Sequence, residues 1–187
     1  MVVELNGWNT EAMNEAIEGV KECPEAGILT WRSRVKWDGG YGLDVRTREI
    51  EQLDEVMVRR FTMRGDHPPE LLGNNTGPTA VEILMSALGA CMAGTFAAQA
   101  TAREVKIDKL EVDLESKIDI NGMFGLMPIR PGLSDVKLSF RVESDADMTV
   151  LQEILEEAQA LSPVFDSVTK PVEVNVDLEK TEMIHSD

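Results

Sequence analysis

The sequence predicts one α+β domain in which antiparallel β-sheets surround a long, buried central helix. Three observations favour this fold class. Several short segments alternate apolar and charged residues, as strands with one solvated face do. Two other segments carry an apolar stripe at helical spacing. The stretch between Glu82 and Arg103 has no charged residue, which indicates a helix buried on every side.

Composition and charge narrow the classes of function. The chain has 187 residues, 43% of them hydrophobic and 28% charged, which suits one globular domain with a substantial core. Its 34 acidic and 18 basic side chains give a formal net charge of -16. Such a field repels phosphate backbones and anionic lipid headgroups, so we expect neither a nucleic-acid nor a membrane partner.

The cysteine and histidine content argues against a metal site or a disulfide framework. Cys23 and Cys91 are the only cysteines, and His67 and His185 lie far apart without a Cys-x-x-Cys pair. We therefore expect no bound metal or other cofactor. The start of the chain lacks the pattern of a secretory signal, so a cytoplasmic location is expected.

Residues 1–26 predict an N-terminal extension built on an amphipathic helix that ends at Pro24. Its glutamate-rich side is most simply a solvated face, and a partner-binding face is the alternative. The main domain, 27–180, then begins with a hairpin of two strands, and a third extended run covers 55–64. A segment rich in proline and glycine, 66–78, leads into the central helix.

The central helix is long enough to raise the question of a membrane span, but polar residues and glycines within it argue against one. Its small residues instead favour close packing of another backbone, and a helix from a second subunit is the natural candidate. These small residues are Ala87, Gly89, Ala90, Ala93, Gly94 and Ala97.

Three further strands are predicted by alternation, over 109–120, 136–142 and 172–178. Another amphipathic helix, 150–161, lies between the last two and is followed by Pro163. The predicted order is therefore α-βββ-α-ββ-α-β. Residues 181–187 form a polar C-terminal tail.

Cys91, midway along the central helix, is the strongest candidate for a reactive group. A cysteine there can also be a small buried hydrophobe without chemistry. Its glycine and alanine neighbours leave room for a ligand or a partner chain. Reactivity would need a cation or hydrogen-bond donors near the sulfur, and these must come from elsewhere because the helix offers none nearby.

Three other polar residues have simpler explanations. Glu82 could orient a substrate or an arginine, yet it also completes a capping-box pattern with Thr79, and nine residues of helix place it opposite Cys91. His67 lies in a turn-forming stretch, where it is either a base or an inert surface histidine. Ser162 lacks a Gly-x-Ser-x-Gly context, so helix termination explains it.

Three segments together resemble the OsmC/Ohr family of osmotically induced and organic hydroperoxide resistance proteins. They are Asn75-Thr76-Gly77-Pro78, Ala87-Leu88-Gly89-Ala90-Cys91 and Ser162-Pro163-Val164-Phe165-Asp166. The resemblance covers roughly 29–179 and implies an OsmC-like fold that forms an intertwined homodimer. In active members a first cysteine attacks an organic hydroperoxide, an arginine and a glutamate assist it, and a second cysteine resolves the sulfenic acid. Lipoyl or other dithiol reductants then restore the thiols.

Carried onto this sequence, the resemblance makes Cys91 the attacking cysteine. Ser162 stands where the second cysteine of the peroxidases would be, so their internal disulfide cannot form. The family's helix glutamate falls at Val81, and Glu82 is one step away.

The assisting arginine of the family maps only loosely onto this chain, and we assign it to Arg64 in preference to Arg32 or Arg34.

Two functions follow as hypotheses. The first is a thiol-dependent organic hydroperoxide reductase of the oxidative-stress response, an antioxidant with peroxiredoxin-type chemistry that uses a single cysteine and an external thiol or dithiol. The alternative is a non-enzymatic dimeric binding protein with an apolar pocket that Cys91 merely lines. The expected partners are a second copy of the chain and a small organic hydroperoxide or apolar ligand.

Overall fold

The computed structural model describes residues 4–180, and its architecture is α+β as predicted. A small hairpin and a helix precede an antiparallel sheet, and the central helix then leads into a second antiparallel sheet with two further helices. The predicted polar tail, 181–187, lies outside the described residues.

The described chain begins with a hairpin that the sequence analysis did not predict. Strands β1 (Glu4–Leu5) and β2 (Trp8–Asn9) pair antiparallel. The turn residues Asn6 and Gly7 have positive φ angles of 54° and 79°. Asn-Gly suits such a turn because both positions need the left-handed region. The predicted amphipathic helix, α1 (Thr10–Glu22), follows and buries none of its residues.

The Asn6 side chain joins this hairpin to the far end of the central helix, α2 (Ala80–Ala102). Its amide nitrogen donates to Thr101 Oγ1 at 3.0 Å and to the Val105 carbonyl at 2.9 Å. Its Oδ1 accepts the Ile107 N–H at 2.8 Å. Backbone groups at and beyond a helix end lack intrahelical partners, so these bonds satisfy groups that would otherwise need water.

The first sheet contains the predicted hairpin, β3 (Leu29–Trp37) and β4 (Leu43–Gln52). The prediction of one continuous third strand over 55–64 is wrong. Instead β5 (Glu55–Val58) pairs with the end of β4, and β6 (Thr62–Gly65) pairs with its beginning.

A side chain explains the break between β5 and β6. The Phe61 N–H donates to the Thr47 hydroxyl at 3.0 Å, while the Phe61 carbonyl accepts the Thr47 N–H at 3.0 Å. Because a hydroxyl here takes the place of a backbone acceptor, the regular ladder is interrupted.

The first sheet is largely uncovered in the single chain. Every residue of β3 is exposed, including Trp31 at 71% and Trp37 at 69%. Exposed apolar side chains grouped in this way indicate a surface that contacts another molecule.

Helix α2 confirms the prediction of a long apolar helix but not of burial on every side. Its buried stripe is formed by Leu88, Gly89, Met92, Phe96, Ala100 and Thr101. On another side Ala87, Ala90 and Gly94 are exposed, and a Cβ on Gly94 would meet no atom within 4 Å. One chain therefore covers only part of this helix, because its other elements pack along one side.

The second sheet consists of β7 (Lys109–Ser116) and β8 (Val136–Glu143), paired along their full length. The predicted strand over 109–120 ends early, at Ser116. Beyond it the Asp119 side chain accepts the Asn121 N–H at 2.9 Å and so starts a short helix, α3 (Ile120–Met123). A capping aspartate favours helical over extended backbone at this point.

Two helices complete the core. Helix α4 (Met148–Leu161) matches its predicted position, but the chain does not simply leave the helix at Pro163. A second short helix, α5 (Pro163–Thr169), starts there, since proline fits the first helical position. The buried core joins α4 to α2 through Ile154 and Ala158, which pack with Leu88, Met92, Phe96 and Ala100.

The predicted last strand, 172–178, is not a strand in the described chain. Its alternating apolar side chains are exposed, up to 98% at Leu178. A strand needs a neighbouring edge to pair with, and this segment pairs with none of the strands in the part of the chain that the structure describes.

We predict that Asn6→Gly lowers the free energy of unfolding by about 1–3 kcal/mol, because it leaves partly buried groups near Val105 and Ile107 without partners. Glycine keeps the positive φ, so the turn itself is not strained. Urea denaturation measures the change. Asn75→Gly is the matched control, because Asn75 also has a positive φ, of 55°, and its side chain makes no hydrogen bond to any other part of the described chain, 4–180. Equal stability of the two variants would contradict the role of Asn6.

Candidate functional site

Cys91 and Ser162 lie in contact at the junction of three helices. Cys91 is on α2, and Ser162 is the single residue between α4 and α5. The Ser162 hydroxyl donates to Cys91 Sγ with an oxygen–sulfur distance of 3.1 Å. Ser162 is 0% exposed, whereas Cys91 is partly exposed. The sulfur thus accepts a hydrogen bond from the buried Ser162, while the Cys91 residue itself keeps some contact with solvent.

Backbone contacts fix the Ser162 side chain. Its oxygen accepts the Phe165 N–H at 3.3 Å as the N-cap of α5, and its own N–H donates to the Ala158 carbonyl at 3.0 Å. A hydroxyl has one proton, and with the oxygen accepting from Phe165 that proton is free to point at the sulfur. The helix-termination explanation of Ser162 is therefore correct but incomplete. The sequence analysis missed the contact because 71 positions separate the two residues.

Helical spacing places Cys91 at the edge of the covered side of α2. Leu88 and Met92, on either side of it, are buried, while Ala90 and Gly94 are exposed. The cysteine therefore lies between the core and the open stripe, where a second chain or a small molecule can approach it.

A largely apolar cavity of about 520 Å³, which neither Cys91 nor Ser162 lines, lies between α2, α5 and β8. Leu88 of its wall precedes Cys91 by less than one helical turn, and Phe165 of its wall donates to Ser162. The volume falls in the usual range for small-ligand sites. Its apolar lining includes Leu84, Leu133, Val136, Leu138 and Val168.

A second cavity, of about 650 Å³, lies between the segments 117–120 and 129–134. None of its lining residues belongs to α2 or α5, so it carries no evident link to the cysteine.

Glu82 caps the start of α2, which is one of the two roles that the sequence suggests for it. Its carboxylate accepts the Thr79 N–H at 2.7 Å, and its N–H donates to Thr79 Oγ1 at 3.2 Å. The hydrogen bond from the Thr79 backbone lowers the pKa of the Glu82 carboxyl. Nine residues of helix separate Glu82 from Cys91, about 13.5 Å along the axis, so the two do not touch within one chain.

Arg64 lies in an ion-pair cluster on the first sheet. Its guanidinium binds Asp38 at 2.7 Å and Asp44 at 3.0 Å, and it donates to Thr76 Oγ1 at 3.3 Å. The hydrogen bonds that Arg64 donates, first to Asp38 and then to Asp44, raise the pKa of Arg64 above its ordinary value. Its recorded contacts thus join β6 to the first hairpin and to the loop before α2, and none of them involves Cys91.

The other two arginine candidates lie on β3 of the same sheet. Arg32 forms an ion pair with Glu51 of β4, which raises the pKa of Arg32. Arg34 is directly opposite Arg46 in the strand pairing.

Asp66 is a residue that the sequence analysis did not single out. It is 1% exposed and organises the loop before α2, accepting N–H groups of His67, Asn74 and Thr76. The Thr76 hydroxyl, at 2.7 Å, contributes most to lowering the pKa of the Asp66 carboxyl to about 2. In the sequence, only the position of Asp66 at the start of a loop rich in proline and glycine indicates that it organises this loop.

His67 packs against Tyr41 rather than at the contact between Cys91 and Ser162. Its ring stacks on Tyr41 with centroids 3.9 Å apart, and its Nδ1 is buried without a hydrogen-bond partner among the described residues. Within residues 4–180, no cluster of three or more His, Cys, Asp or Glu side chains is placed to hold a metal ion.

Comparison with known proteins identifies this arrangement of helices and sheets. A family model described as OsmC-like protein matches residues 73–177. The matched range contains α2, a helix long and apolar enough to span a membrane by length and composition, and so assigns it to the core of a folded domain. A search of curated proteins finds no match.

Solved structures show the same fold at low identity. An OsmC-like protein from Mycoplasma pneumoniae is 17% identical, with a TM-score of 0.57 over 75% of this chain and 87% of that one. An organic hydroperoxide resistance protein OsmC from Legionella pneumophila is 13% identical, with a TM-score of 0.52 over 74% of this chain and 88% of that one.

Proposed function

Because this chain belongs to the OsmC-like protein family, we propose that it is a single-cysteine, thiol-dependent reductase of small organic hydroperoxides that acts in the oxidative-stress response. The observation that carries the proposal is the contact between Cys91 and Ser162 at 3.1 Å. It gives the sulfur of a partly exposed cysteine a fixed hydrogen-bond donor, one of the features that a reactive cysteine needs.

The proposed chemistry has a balanced first step. The Cys91 thiolate attacks the outer peroxide oxygen, the O–O bond breaks, and the alkoxide leaves and takes a proton to become an alcohol. The sulfur is oxidised to sulfenic acid while the peroxide is reduced. The cavity lined by Leu88 and Phe165, which neighbour Cys91 and Ser162 respectively, suits the organic part of such a substrate.

The second half of the cycle needs an external thiol, because a hydroxyl occupies the position next to Cys91. An external thiol or dithiol condenses with the sulfenic acid, releasing water and forming a mixed disulfide. A second thiol then attacks that disulfide and frees Cys91. We therefore propose no bound cofactor, and a cytoplasmic setting whose thiol pool supplies the reductant.

We further propose that the active form is an intertwined homodimer. In one chain the exposed face of β3, the open stripe of α2 and the unpaired segment 172–178 leave much apolar surface uncovered. A second copy would cover these surfaces.

The proposed dimer also determines how Glu82 and Arg64 could assist Cys91. Glu82 of the same chain is too far along α2 to reach Cys91, and Arg64 is bound to Asp38 and Asp44. Assistance from Glu82 would therefore come from the second chain, and Arg64 would assist across the same interface.

We expect light scattering at micromolar concentration to give the mass of two chains, because the uncovered apolar area is too large for a stable monomer. Leu84→Glu, on an exposed position of α2, should shift the mass toward one chain. Glu70→Gln, a charge change on an exposed loop, serves as the control. A wild-type protein that remains a monomer would contradict the dimer.

A non-enzymatic binding protein is the second candidate function, and the 520 Å³ apolar cavity favours it. In that case Cys91 lines the site without reacting. Ligand binding would then be independent of the thiol, and peroxide would be consumed no faster with the protein than without it.

We predict that stoichiometric cumene hydroperoxide converts Cys91 to sulfenic acid, which persists or forms a mixed disulfide when a small thiol is added. Intact mass spectrometry detects the added oxygen and the thiol adduct. Cys91→Ser should abolish both changes, and Cys23→Ser should leave both unchanged because Cys23 lies at the end of α1, where its sulfur contacts Glu25 and not Cys91.

Wild-type protein that gains no oxygen, with Cys91 still a free thiol, would remove the peroxidase proposal and leave the binding protein. Oxidation confined to Cys23 would count equally against it, because slow reaction of an exposed thiol is ordinary chemistry.

A further inference from the structure

We propose that Ser162 is itself a catalytic residue, whose hydroxyl donates a hydrogen bond to the Cys91 sulfur and stabilises the thiolate there. This inference rests on the proposed function and deepens it, because it gives the residue that replaces a second cysteine a role of its own. Ser162 touches the reacting atom directly, at 3.1 Å.

The surroundings of Ser162 determine the direction of this hydrogen bond. The side chain is fully buried, so no solvent competes for its proton. Its oxygen already accepts the Phe165 N–H at 3.3 Å, and the backbone on both sides is fixed by helix bonds to Ala158 and from Asp166. Within residues 4–180, the one acceptor for the Ser162 hydroxyl is Cys91 Sγ. A donor held in this way favours the charged form of its acceptor.

Stabilised negative charge on sulfur would serve the cycle at two points. Before the reaction it increases the share of thiolate, the form that attacks peroxide. At the end, when an external thiol attacks the mixed disulfide, Cys91 is the leaving group, and a stabilised thiolate leaves faster. Both steps use the same hydrogen bond and need no movement of Ser162.

A separate feature is a cavity close to this pair. The helices that hold Cys91 and Ser162 also supply Leu88 and Phe165 to the wall of the 520 Å³ cavity. Cys91 and Ser162 are not among the lining residues, so the cavity adjoins the pair through Leu88 and Phe165, and its largely apolar wall suits the organic part of a small molecule.

The test is the pH dependence of Cys91 alkylation by iodoacetamide, with Cys23→Ser as the background so that one thiol remains. We expect Ser162→Ala to move the rising limb of the profile to higher pH and to lower the alkylation rate at neutral pH by about three-fold to ten-fold, as loss of one hydrogen bond to a charged group predicts when the higher nucleophilicity of the more basic thiolate offsets part of its lower abundance. A purely structural role for Ser162 would not move the pH profile.

Two further variants separate this effect from damage to α5. Ser162→Gly also removes the hydroxyl, but glycine is well tolerated at a helix N-cap, so it should shift the profile as alanine does while keeping the fold. Ser167→Ala removes a hydroxyl from the same helix, where it bonds to the Pro163 carbonyl at 2.8 Å, and should leave the profile unchanged. Circular dichroism checks that each variant is folded.

Unchanged profiles for both Ser162 variants, or an equal shift for Ser167→Ala, would overturn the inference. Alkylation requires no peroxide, so the outcome is independent of the proposed reductase activity. If the Ser162 variants shift the profile but cumene hydroperoxide does not oxidise Cys91, Ser162 is a hydrogen-bond donor to the sulfur. Its catalytic role is then contradicted together with the proposed function.

Discussion

The packing of α4 against the apolar stripe of α2 is the interaction on which the site depends. Ile154 and Ala158 are completely buried against Leu88, Met92 and Phe96, and burial of each large side chain contributes about 1.5–3 kcal/mol. Because α4 is fixed in this way, the residue that follows it is fixed too. That residue is Ser162, and the last turn of α4 brings it onto Cys91.

The sequence predicted most of the long elements for which one chain supplies both partners of a contact. The spacing of apolar residues located α1 and α4, an uncharged apolar run located α2, and alternation located β3, β7 and β8. It failed where a side chain redirects the backbone, as the Thr47 hydroxyl does between β5 and β6 and as Asp119 does after β7. It also predicted burial around α2 and pairing of 172–178, which a single chain does not provide.

Cys91 could be recognised from sequence because its position in a small-residue helix is a local pattern. The rest of its surroundings could not, because Ser162 joins it by tertiary packing across 71 positions. The contacts of Asn6 could not be predicted for the same reason, since its bonds reach Thr101 and Val105, which lie 95 and 99 positions further along the chain. Local spacing carries no information about contacts of this range, whereas a capping box such as Thr79 and Glu82 spans three residues and was predicted.

The central claim is that helix packing holds residue 162 within bonding reach of the Cys91 sulfur, and Ser162→Cys in a Cys23→Ser background tests it most directly. After mild oxidation with diamide, free-thiol titration and non-reducing intact mass spectrometry should show a disulfide between Cys91 and the introduced thiol within one chain. Two thiols that stay free, or a disulfide that joins separate chains only, would contradict the account.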